Sequence, residues 1–168
     1  SGIVQFRPGL PERKLEAIQG IRSGGVIKVL AEFRRPWWED ALGHVGFFRG
    51  DPSSAFYGFW APFAERTGPP TLSTIMGSPQ AKDATGDSGR IRSMYLSQVG
   101  EMFPRVDLES ELVSLDIADW PSDPWAMGAQ SAVPVGGYHM RADLATPTPP
   151  LLWAGEATHT RGHAACVH

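Results

Sequence analysis

The sequence predicts an α+β fold, in which a mostly antiparallel or mixed sheet with a few flanking helices precedes a terminal strand-turn-helix fragment of different character. Three observations predict it. Residues 26–33 are rich in β-branched and apolar residues, and three shorter β-like runs follow them between turn-forming residues. Apolar residues after position 87 recur at helical spacing for about four turns. Residues 151–168 join an apolar run, a Gly-Glu pair and a polar stretch.

The composition fits one domain with a sizeable core, since 42% of the 168 residues are hydrophobic. The 15 basic and 18 acidic residues give a net charge of -3 and form no run of like charge. This balance gives no reason to expect nucleic acid or an anionic membrane as a partner. The sequence shows no signal peptide and no apolar run of membrane-spanning length, and it leaves the location open with the cytoplasm favoured. The single cysteine, Cys166, is compatible with either redox compartment.

The first third of the chain predicts one helix and the best strand of the sequence. Residues 1–9 form an extended segment, after which Pro11 suits the first position of a helix and Glu12 the positive end of its dipole. The helix is expected to end near Gly24. Residues 26–33, VIKVLAEF, then predict a strand. The apolar face of the helix is formed by Leu15, Ile18 and Ile21.

Three shorter strands are predicted at residues 45–48, 55–60 and 72–76. The segments GDPSS and ERTGPP separate them, and both are rich in residues that favour turns. Short strands joined by turns are most simply arranged as an antiparallel meander.

A longer helix and a further strand follow the meander. Asp87 or Ser88 is expected to cap the helix, and Pro104 ends it. Residues 111–120 alternate in a way that predicts a strand. The helix presents one apolar face, formed by Ile91, Met94, Tyr95, Val99, Met102 and Phe103.

The C-terminal part predicts a loop, a short helix and a strand-turn-helix fragment. Residues 121–137 are rich in aromatic residues, proline and glycine, and predict an ordered loop. Residues 138–145 predict a short helix, and TPTPP separates it from a final strand at 151–154. The Gly155-Glu156 turn then starts a helix. Because unpaired backbone N–H groups converge at such a turn, it can seat a phosphate or an electron-rich ring.

Lys28 is the first candidate for chemistry. Period-two alternation places it on one strand face with Val26 and Leu30, while Ile27 and Val29 take the other face. A lysine between apolar neighbours is desolvated, which suits it to hold a water molecule or to act as a base. The alternative is a lysine whose stem covers the sheet while its ammonium group reaches water.

Trp120 and Trp125 form a second candidate site within a loop stiffened by proline. Two nearby indoles can build a wall for a planar ligand, and Gly128 permits close approach of the backbone. The alternative is that both tryptophans close the edge of the core.

Glu156, His159 and His163 have the spacing of metal ligands, at positions i, i+3 and i+7. The glycines and threonines between them disfavour the helix that would bring the three together, so no metal site is predicted. Cys166 lies near histidines, yet no local pattern fixes a base beside it. The sequence contains neither G-x-G-x-x-G nor a P-loop, so most of any nucleotide site must lie elsewhere.

The sequence resembles the C-terminal half of the flavin-containing amine oxidases, the family of monoamine oxidases, polyamine oxidases and lysine-specific histone demethylases. Four motifs carry the resemblance, in the order of the family. They are LPERKLEAIQGI at 10–21, GGVIKVLAEFRRPWW at 24–38, DWPSDPWAMGAQS at 119–131, and LLWAGEATH with ACVH within 151–168.

The resemblance implies FAD as cofactor and assigns residues to it. Lys28 falls on the lysine that holds a water molecule against flavin N5. Trp120 and Trp125 fall on aromatic residues that flank the flavin. Gly155 and Glu156 fall where the family contacts the diphosphate and ribityl chain of FAD.

Three further assignments concern the flavin edge and the substrate pocket. Val167 matches the residue whose backbone N–H faces flavin O2, and Cys166 lies beside it. Gln130 and Cys166 also fall on the two aromatic positions that frame the amine in many members, so the aromatic cage is absent. A polar or bulky substrate becomes more plausible without it.

The resemblance implies oxidation of a C–N bond by hydride transfer to FAD, with molecular oxygen as acceptor and hydrogen peroxide as product. The alternatives are an L-amino-acid oxidase or a desaturase of the same fold, or an inactive binding module. Residues 1–145 would belong to the substrate-binding domain and 146–168 to a fragment of the FAD-binding domain. We expect the chain to be cut at both ends, without the N-terminal FAD-binding half and the closing helix. Alone it should bind FAD weakly or not at all and be inactive.

Overall fold

The computed structural model describes residues 4–39, 46–51, 53–62 and 68–161, and the structural statements below refer to these. The chain divides into two compact units. Gly25–Gly128 is named the sheet unit, and Ser1–Gly24 with Ala129–His168 is named the terminal unit.

The described elements come in runs along the chain, with five strands after the first helix and three helices before the sixth strand. None of the helices in these residues is long and apolar enough to cross a bilayer. In order the elements are α1 (Glu12–Gly20), β1 (Arg22–Ser23), β2 (Val26–Phe33), β3 (Gly46–Phe48), β4 (Gly58–Trp60), β5 (Thr71–Gly77), α2 (Gln80–Ala84), α3 (Ser88–Met102), α4 (Leu108–Glu111), β6 (Leu112–Asp119), β7 (Ser131–Ala132), α5 (His139–Ala145) and a 3₁₀ turn (Glu156–Thr158).

The sheet unit is built on a five-stranded sheet with the strand order β3-β4-β5-β2-β6. All neighbouring strands are antiparallel, which confirms the predicted antiparallel sheet. The meander is confirmed for β3, β4 and β5, which are neighbours in space as well as in sequence. The first predicted strand of the meander starts at Val45, which lies outside the described residues. In the final arrangement β2 is an interior strand between β5 and β6.

The core of the sheet unit lies between one face of the sheet and α3. Alternate residues of β2 are buried, as the period-two pattern predicts. Ile91, Tyr95 and Val99 of α3 belong to the same buried cluster, which confirms the apolar face predicted for this helix. Asp87 caps α3 by accepting a hydrogen bond from the Arg90 backbone N–H at 2.9 Å. The buried residues of β2 are Ile27, Val29, Ala31 and Phe33.

Two short helices in the sheet unit were not predicted. Gln80–Ala84 has five residues and Leu108–Glu111 has four, which is too short for a helical period to be visible in the sequence. The second is capped by Asp107, which accepts a hydrogen bond from the Ser110 backbone N–H at 3.2 Å. The first helix buries Ala81 and Ala84, and the second buries Leu108.

The terminal unit contains α1, α5 and a two-stranded antiparallel sheet of β1 and β7. In this sheet Ser23 lies opposite Ser131. The final strand predicted at residues 151–154 is wrong in extent, since only an isolated bridge joins Thr148 and Leu151. The physical reason is that a strand is defined by its partner, and within the residues that the structure describes no ladder continues this bridge.

Lys14 connects α1 to the C-terminal end of α5. Its side chain is buried. Of the predicted apolar face, Ile18 and Ile21 are half-buried, whereas Leu15 is 41% exposed, so the prediction is wrong for Leu15. The Lys14 ammonium group donates hydrogen bonds to the carbonyl oxygens of Leu144 and Thr146, the latter at 2.7 Å. It also lies 4.6 Å from the ring centroid of Trp153. The pKa of Lys14 is lowered, because the effect of burial outweighs that of the nearby Asp143 carboxylate, which raises it.

Replacement of Lys14 by methionine should lower the free energy of unfolding by about 2 kcal/mol, the usual value for hydrogen bonds to a charged group. The methionine side chain keeps the apolar volume but leaves two carbonyl oxygens without their donor. Urea denaturation monitored by far-UV circular dichroism measures the loss. Arg13→Met, at an exposed position of the same helix, is the control. Equal midpoints for both variants would contradict the structural role of Lys14.

Candidate functional site

Lys28 lies in the middle of β2, opposite Ile75 of β5 and Ala118 of β6. Its side chain is on the half-buried face of the strand, and the buried residues are on the other face, so the predicted face is confirmed. The ammonium nitrogen is 5.7 Å from the ring centroid of Trp60, a distance compatible with a cation–π interaction. Lys28 thus places its ammonium group on the sheet face opposite the core that contains α3.

An apolar pocket of about 360 Å³ adjoins this cation. Trp60 and Ile75 line it. Trp60 is also the aromatic residue in contact with Lys28, and Ile75 is its cross-strand neighbour. A Cβ atom at Gly46 would lie 2.5 Å from the carbonyl oxygen of Phe59, so the close strand pairing there requires glycine. The remaining lining residues are Gly46, Phe47, Tyr57, Gly58 and Phe59.

The loop after β6 carries the two predicted tryptophans on the surface of the sheet unit. Trp120 is 46% exposed and Trp125 is 88% exposed, so the alternative that they close the edge of the core is wrong. The Gly128 backbone N–H donates to the Trp120 carbonyl oxygen at 3.0 Å and closes the loop. An indole exposed to this degree leaves its ring face available to a planar ligand.

Two aspartates order this loop through backbone hydrogen bonds. The Asp119 carboxylate accepts hydrogen bonds from the Gly86 N–H at 2.7 Å and from the Thr85 hydroxyl at 2.9 Å. The Asp123 carboxylate accepts hydrogen bonds from the N–H groups of Ala126 at 2.7 Å and Trp125 at 2.8 Å. Trp120 therefore directly follows Asp119 in the chain, and the Trp125 N–H is bound to Asp123.

The hydrogen bonds from Ala126 and Trp125 lower the pKa of Asp123 below its ordinary value of 3.8. The Asp123 carboxylate therefore stabilises the folded loop at pH values above the pKa that it has in the unfolded chain. This stabilisation is lost as the pH falls through its lower pKa in the folded loop. We therefore expect the loop to lose order below pH 3.8. Accelerated amide exchange at Trp125 and Ala126 would report it, and Asp123→Asn should remove the pH dependence. A wild-type pH profile unchanged in this variant would contradict the assignment to Asp123.

The Gly155 turn in the terminal unit has a backbone conformation that only glycine adopts readily, with φ 117° and ψ 173°. The Gly155 carbonyl oxygen accepts hydrogen bonds from the Thr158 hydroxyl at 2.7 Å and from the Thr158 N–H at 3.0 Å. The turn borders a pocket of about 310 Å³. Its lining comprises Trp153, Ala154, Gly155, Glu156, Thr158, His159, Thr160 and Arg161.

Glu156 is connected to Ser131 and Arg141, two residues that the sequence did not single out. Its carboxylate accepts hydrogen bonds from the Ser131 hydroxyl at 2.8 Å and from the Ser131 N–H at 3.0 Å. Arg141 is 4% exposed, and its Nη1 atom donates to the Ser131 hydroxyl oxygen at 2.8 Å. A lone arginine in a short helix carries no periodic signal, so no sequence pattern could have marked it. Gln130 precedes Ser131 and is exposed.

The predicted site residues fall in both units. Lys28, Trp120 and Trp125 belong to the sheet unit, and Gln130, Gly155 and Glu156 to the terminal unit. The assignments of Cys166, Val167 and His163 lie outside the described residues. Within the described ranges, no group of three or more His, Cys, Asp or Glu side chains is arranged to hold a metal ion.

Comparison with known proteins gives one family. The family model described as flavin containing amine oxidoreductase matches residues 2–168. Lysine-specific histone demethylase 2 of Homo sapiens is 27% identical over 167 residues, which cover 94% of this chain and 20% of that protein. Polyamine oxidase 7 of Oryza sativa subsp. japonica is 25% identical over 165 residues, which cover 96% of this chain and 34% of that protein.

The fold is also shared with a solved structure. Wild-type putrescine oxidase bound to putrescine superposes with a TM-score of 0.76 and 24% sequence identity, over 92% of this chain and 34% of that protein. At this identity the likeness establishes the fold alone, a mixed α/β arrangement with antiparallel sheets and few helices. The chain thus spans between a fifth and about a third of the relatives compared.

Proposed function

The chain belongs to the flavin containing amine oxidoreductase family, and we propose from this that it forms part of an FAD-dependent enzyme that oxidises a carbon–nitrogen bond. The observation that carries the proposal is the position of Lys28. Its ammonium group lies on the half-buried face of an interior strand, beside an apolar pocket. This combination of a held cation and an apolar recess suits the oxidation of an amine whose carbon chain must be kept from water.

Two observations support a fit to FAD. The exposed indole of Trp125 offers a wall for a flat apolar ring system. A Cβ atom at Gly155 would meet nothing within 4 Å, so the backbone is open to close approach at this turn. In this proposal Trp120 and Trp125 flank the ring, while Gly155 and the backbone of Glu156 contact the diphosphate and ribityl chain. Cys166 and Val167 remain proposed contacts of the flavin edge.

When bound, FAD would supply a two-electron acceptor for a hydride from the carbon next to nitrogen, with molecular oxygen as final acceptor, hydrogen peroxide as its product and hydrolysis of the imine by water. Lys28 holds a water molecule through its ammonium group and moves a proton at Nζ. The pocket lined by Trp60 and Ile75 binds the hydrocarbon part of the substrate and excludes water around it. Together these residues orient the amine and control its proton.

A second candidate function is the oxidation of an amino acid. Gln130 stands where many members have an aromatic residue that frames the amine, and its amide can donate to a carboxylate. Without the aromatic cage, cation–π steering of a simple amine is lost. The polar group would instead favour a substrate that carries its own carboxylate.

The proposal also assigns domains and partners. Residues 1–145 would belong to the substrate-binding domain and residues 146–168 to the FAD-binding domain. The N-terminal FAD-binding half of the enzyme would be the partner of this chain, with an amine or an amino acid and molecular oxygen as reactants. The chain holds no G-x-G-x-x-G segment of its own, so that half must supply the dinucleotide site.

The test is a spectrum and a substrate panel with the full-length protein. Purified protein should show a stoichiometric flavin absorbance, and a panel of primary amines, polyamines and L-amino acids should release peroxide with one class. Peroxide from amino acids alone would favour the second candidate. Full-length protein without flavin absorbance, even after incubation with FAD, would overturn the proposal.

A further inference from the structure

The buried arginine of the terminal unit carries an inference beyond the assignments above. Arg141 is the buried residue of α5, although arginine is rarely buried without partners. Burial of a charge is costly unless it is paired and hydrogen-bonded. The partners of Arg141 therefore indicate what its burial accomplishes.

The guanidinium group of Arg141 bonds to two separate segments of the chain. Toward the first segment, Nη1 donates to the Ser131 hydroxyl oxygen at 2.8 Å and Nη2 donates to the Ser131 carbonyl oxygen at 3.2 Å. Toward the second segment, Nη1 donates to the carbonyl oxygens of Ala157 at 3.2 Å and Glu156 at 3.5 Å. The planar group, with its fixed donor directions, thus sets the spacing of two backbones.

A second connection joins the same two segments directly. Both carboxylate oxygens of Glu156 accept hydrogen bonds from Ser131, one from its hydroxyl and one from its N–H. The Arg141 Nη1 atom lies 3.9 Å from Oε1 of Glu156, so the carboxylate also balances the buried charge. We name Ser131, Arg141 and Glu156 the arginine cluster.

The arginine cluster stands next to two of the proposed site residues. Ser131 directly follows Gln130, whose carbonyl oxygen is fixed by the Gly24 N–H at 2.6 Å. Glu156 directly follows Gly155, whose conformation suits only glycine. The carbonyl oxygens of Ser131 and Glu156, the residues that follow Gln130 and Gly155, therefore accept hydrogen bonds from the same guanidinium group.

We propose that Arg141 is a positioning residue that fixes the Gly155 turn relative to the Gln130 segment, and that the Glu156 side chain serves this connection while its backbone faces the cofactor. The proposal rests on the function proposed above. Loss of Arg141 would leave both segments in the chain but without a fixed spacing. Cofactor binding would weaken because the turn has to be ordered during binding.

The test compares Arg141→Lys with the wild-type full-length protein, and uses Arg13→Lys, an exposed position of the same unit, as control. Lysine keeps the charge and loses the fork that reaches both segments. Without flavin, amide exchange should accelerate about tenfold in peptides covering 129–133 and 153–159, and remain unchanged in β2 and β5. The dissociation constant for FAD should rise about 10- to 100-fold, the scale seen when residues that orient metal ligands are removed.

Ser131→Ala keeps the arginine and provides a milder variant if Arg141→Lys does not fold. It removes only the hydroxyl that joins Arg141 to Glu156, and should accelerate exchange in the same two peptides to a smaller extent. Unchanged local exchange in both variants would overturn the connection, and faster exchange with unchanged FAD affinity would overturn the positioning role. Wild-type protein that binds no FAD would overturn the proposed function, and the exchange data would still decide whether Arg141 joins the two segments.

Discussion

Replacement of Lys28 by methionine should slow turnover of the FAD-loaded full-length protein by about 10²- to 10⁴-fold, the usual contribution of a positioned proton-transfer group. Methionine keeps the length of the apolar stem, so contacts with Ile75 and Ala118 across the strands can persist. The lost group is the ammonium that lies above Trp60. Chemistry and flavin reoxidation should therefore suffer while the sheet remains intact.

Stopped-flow absorbance separates the two half-reactions, with reduction by substrate under anaerobic conditions and reoxidation after mixing with oxygen. Lys82→Met, at an exposed position of α2, is the matched control and should behave as wild type. Far-UV circular dichroism verifies that the fold is kept. If both half-reactions proceed at wild-type rates in Lys28→Met, the role proposed for this lysine is wrong.

Replacement of Phe33 by alanine should lower the free energy of unfolding by about 3–5 kcal/mol, the usual cost of emptying a buried aromatic site. Phe33 is 1% exposed at the end of β2. Its ring lies edge-on to Trp37, with centroids 5.1 Å apart, and to Trp38, with centroids 5.7 Å apart. Alanine would remove the ring on which both indoles pack, and rigid neighbours would refill the space only in part.

Chemical denaturation measures this loss, with tryptophan fluorescence as the probe because two of the affected residues are indoles. Phe33→Leu should lose less than the alanine variant, since leucine fills part of the space. Val113→Ala, at a position that is 53% exposed in β6, should change stability by less than about 0.5 kcal/mol. A Phe33→Ala variant as stable as Val113→Ala would contradict the packing described for this core.

The elements that were predicted correctly are those whose burial repeats with a period. Lys28 and its neighbours in β2 alternate between two faces, and Ile91, Tyr95 and Val99 recur on one side of α3. In each case several residues indicate the same buried face, so one atypical residue does not change the prediction. The face occupied by Lys28 could therefore be predicted from its position in the sequence.

The features that were missed depend on partners far away in the chain. Lys14 is buried because it reaches carbonyl oxygens 130 and 132 positions away, and Arg141 because it meets two separate segments. No local pattern contains this information. The final strand at 151–154 was overestimated for the same reason, since apolar composition reveals nothing about a pairing partner.

The alternation of β2 has a practical consequence for protein engineering. Odd-numbered positions such as Val29 determine whether the chain folds, whereas even-numbered positions such as Lys28 and Leu30 lie on the face with the proposed chemistry. A library randomised at the even positions other than Lys28 can search for new substrates at less risk to stability than one randomised at the buried odd positions. A library randomised at every position of the strand would mostly return unfolded protein.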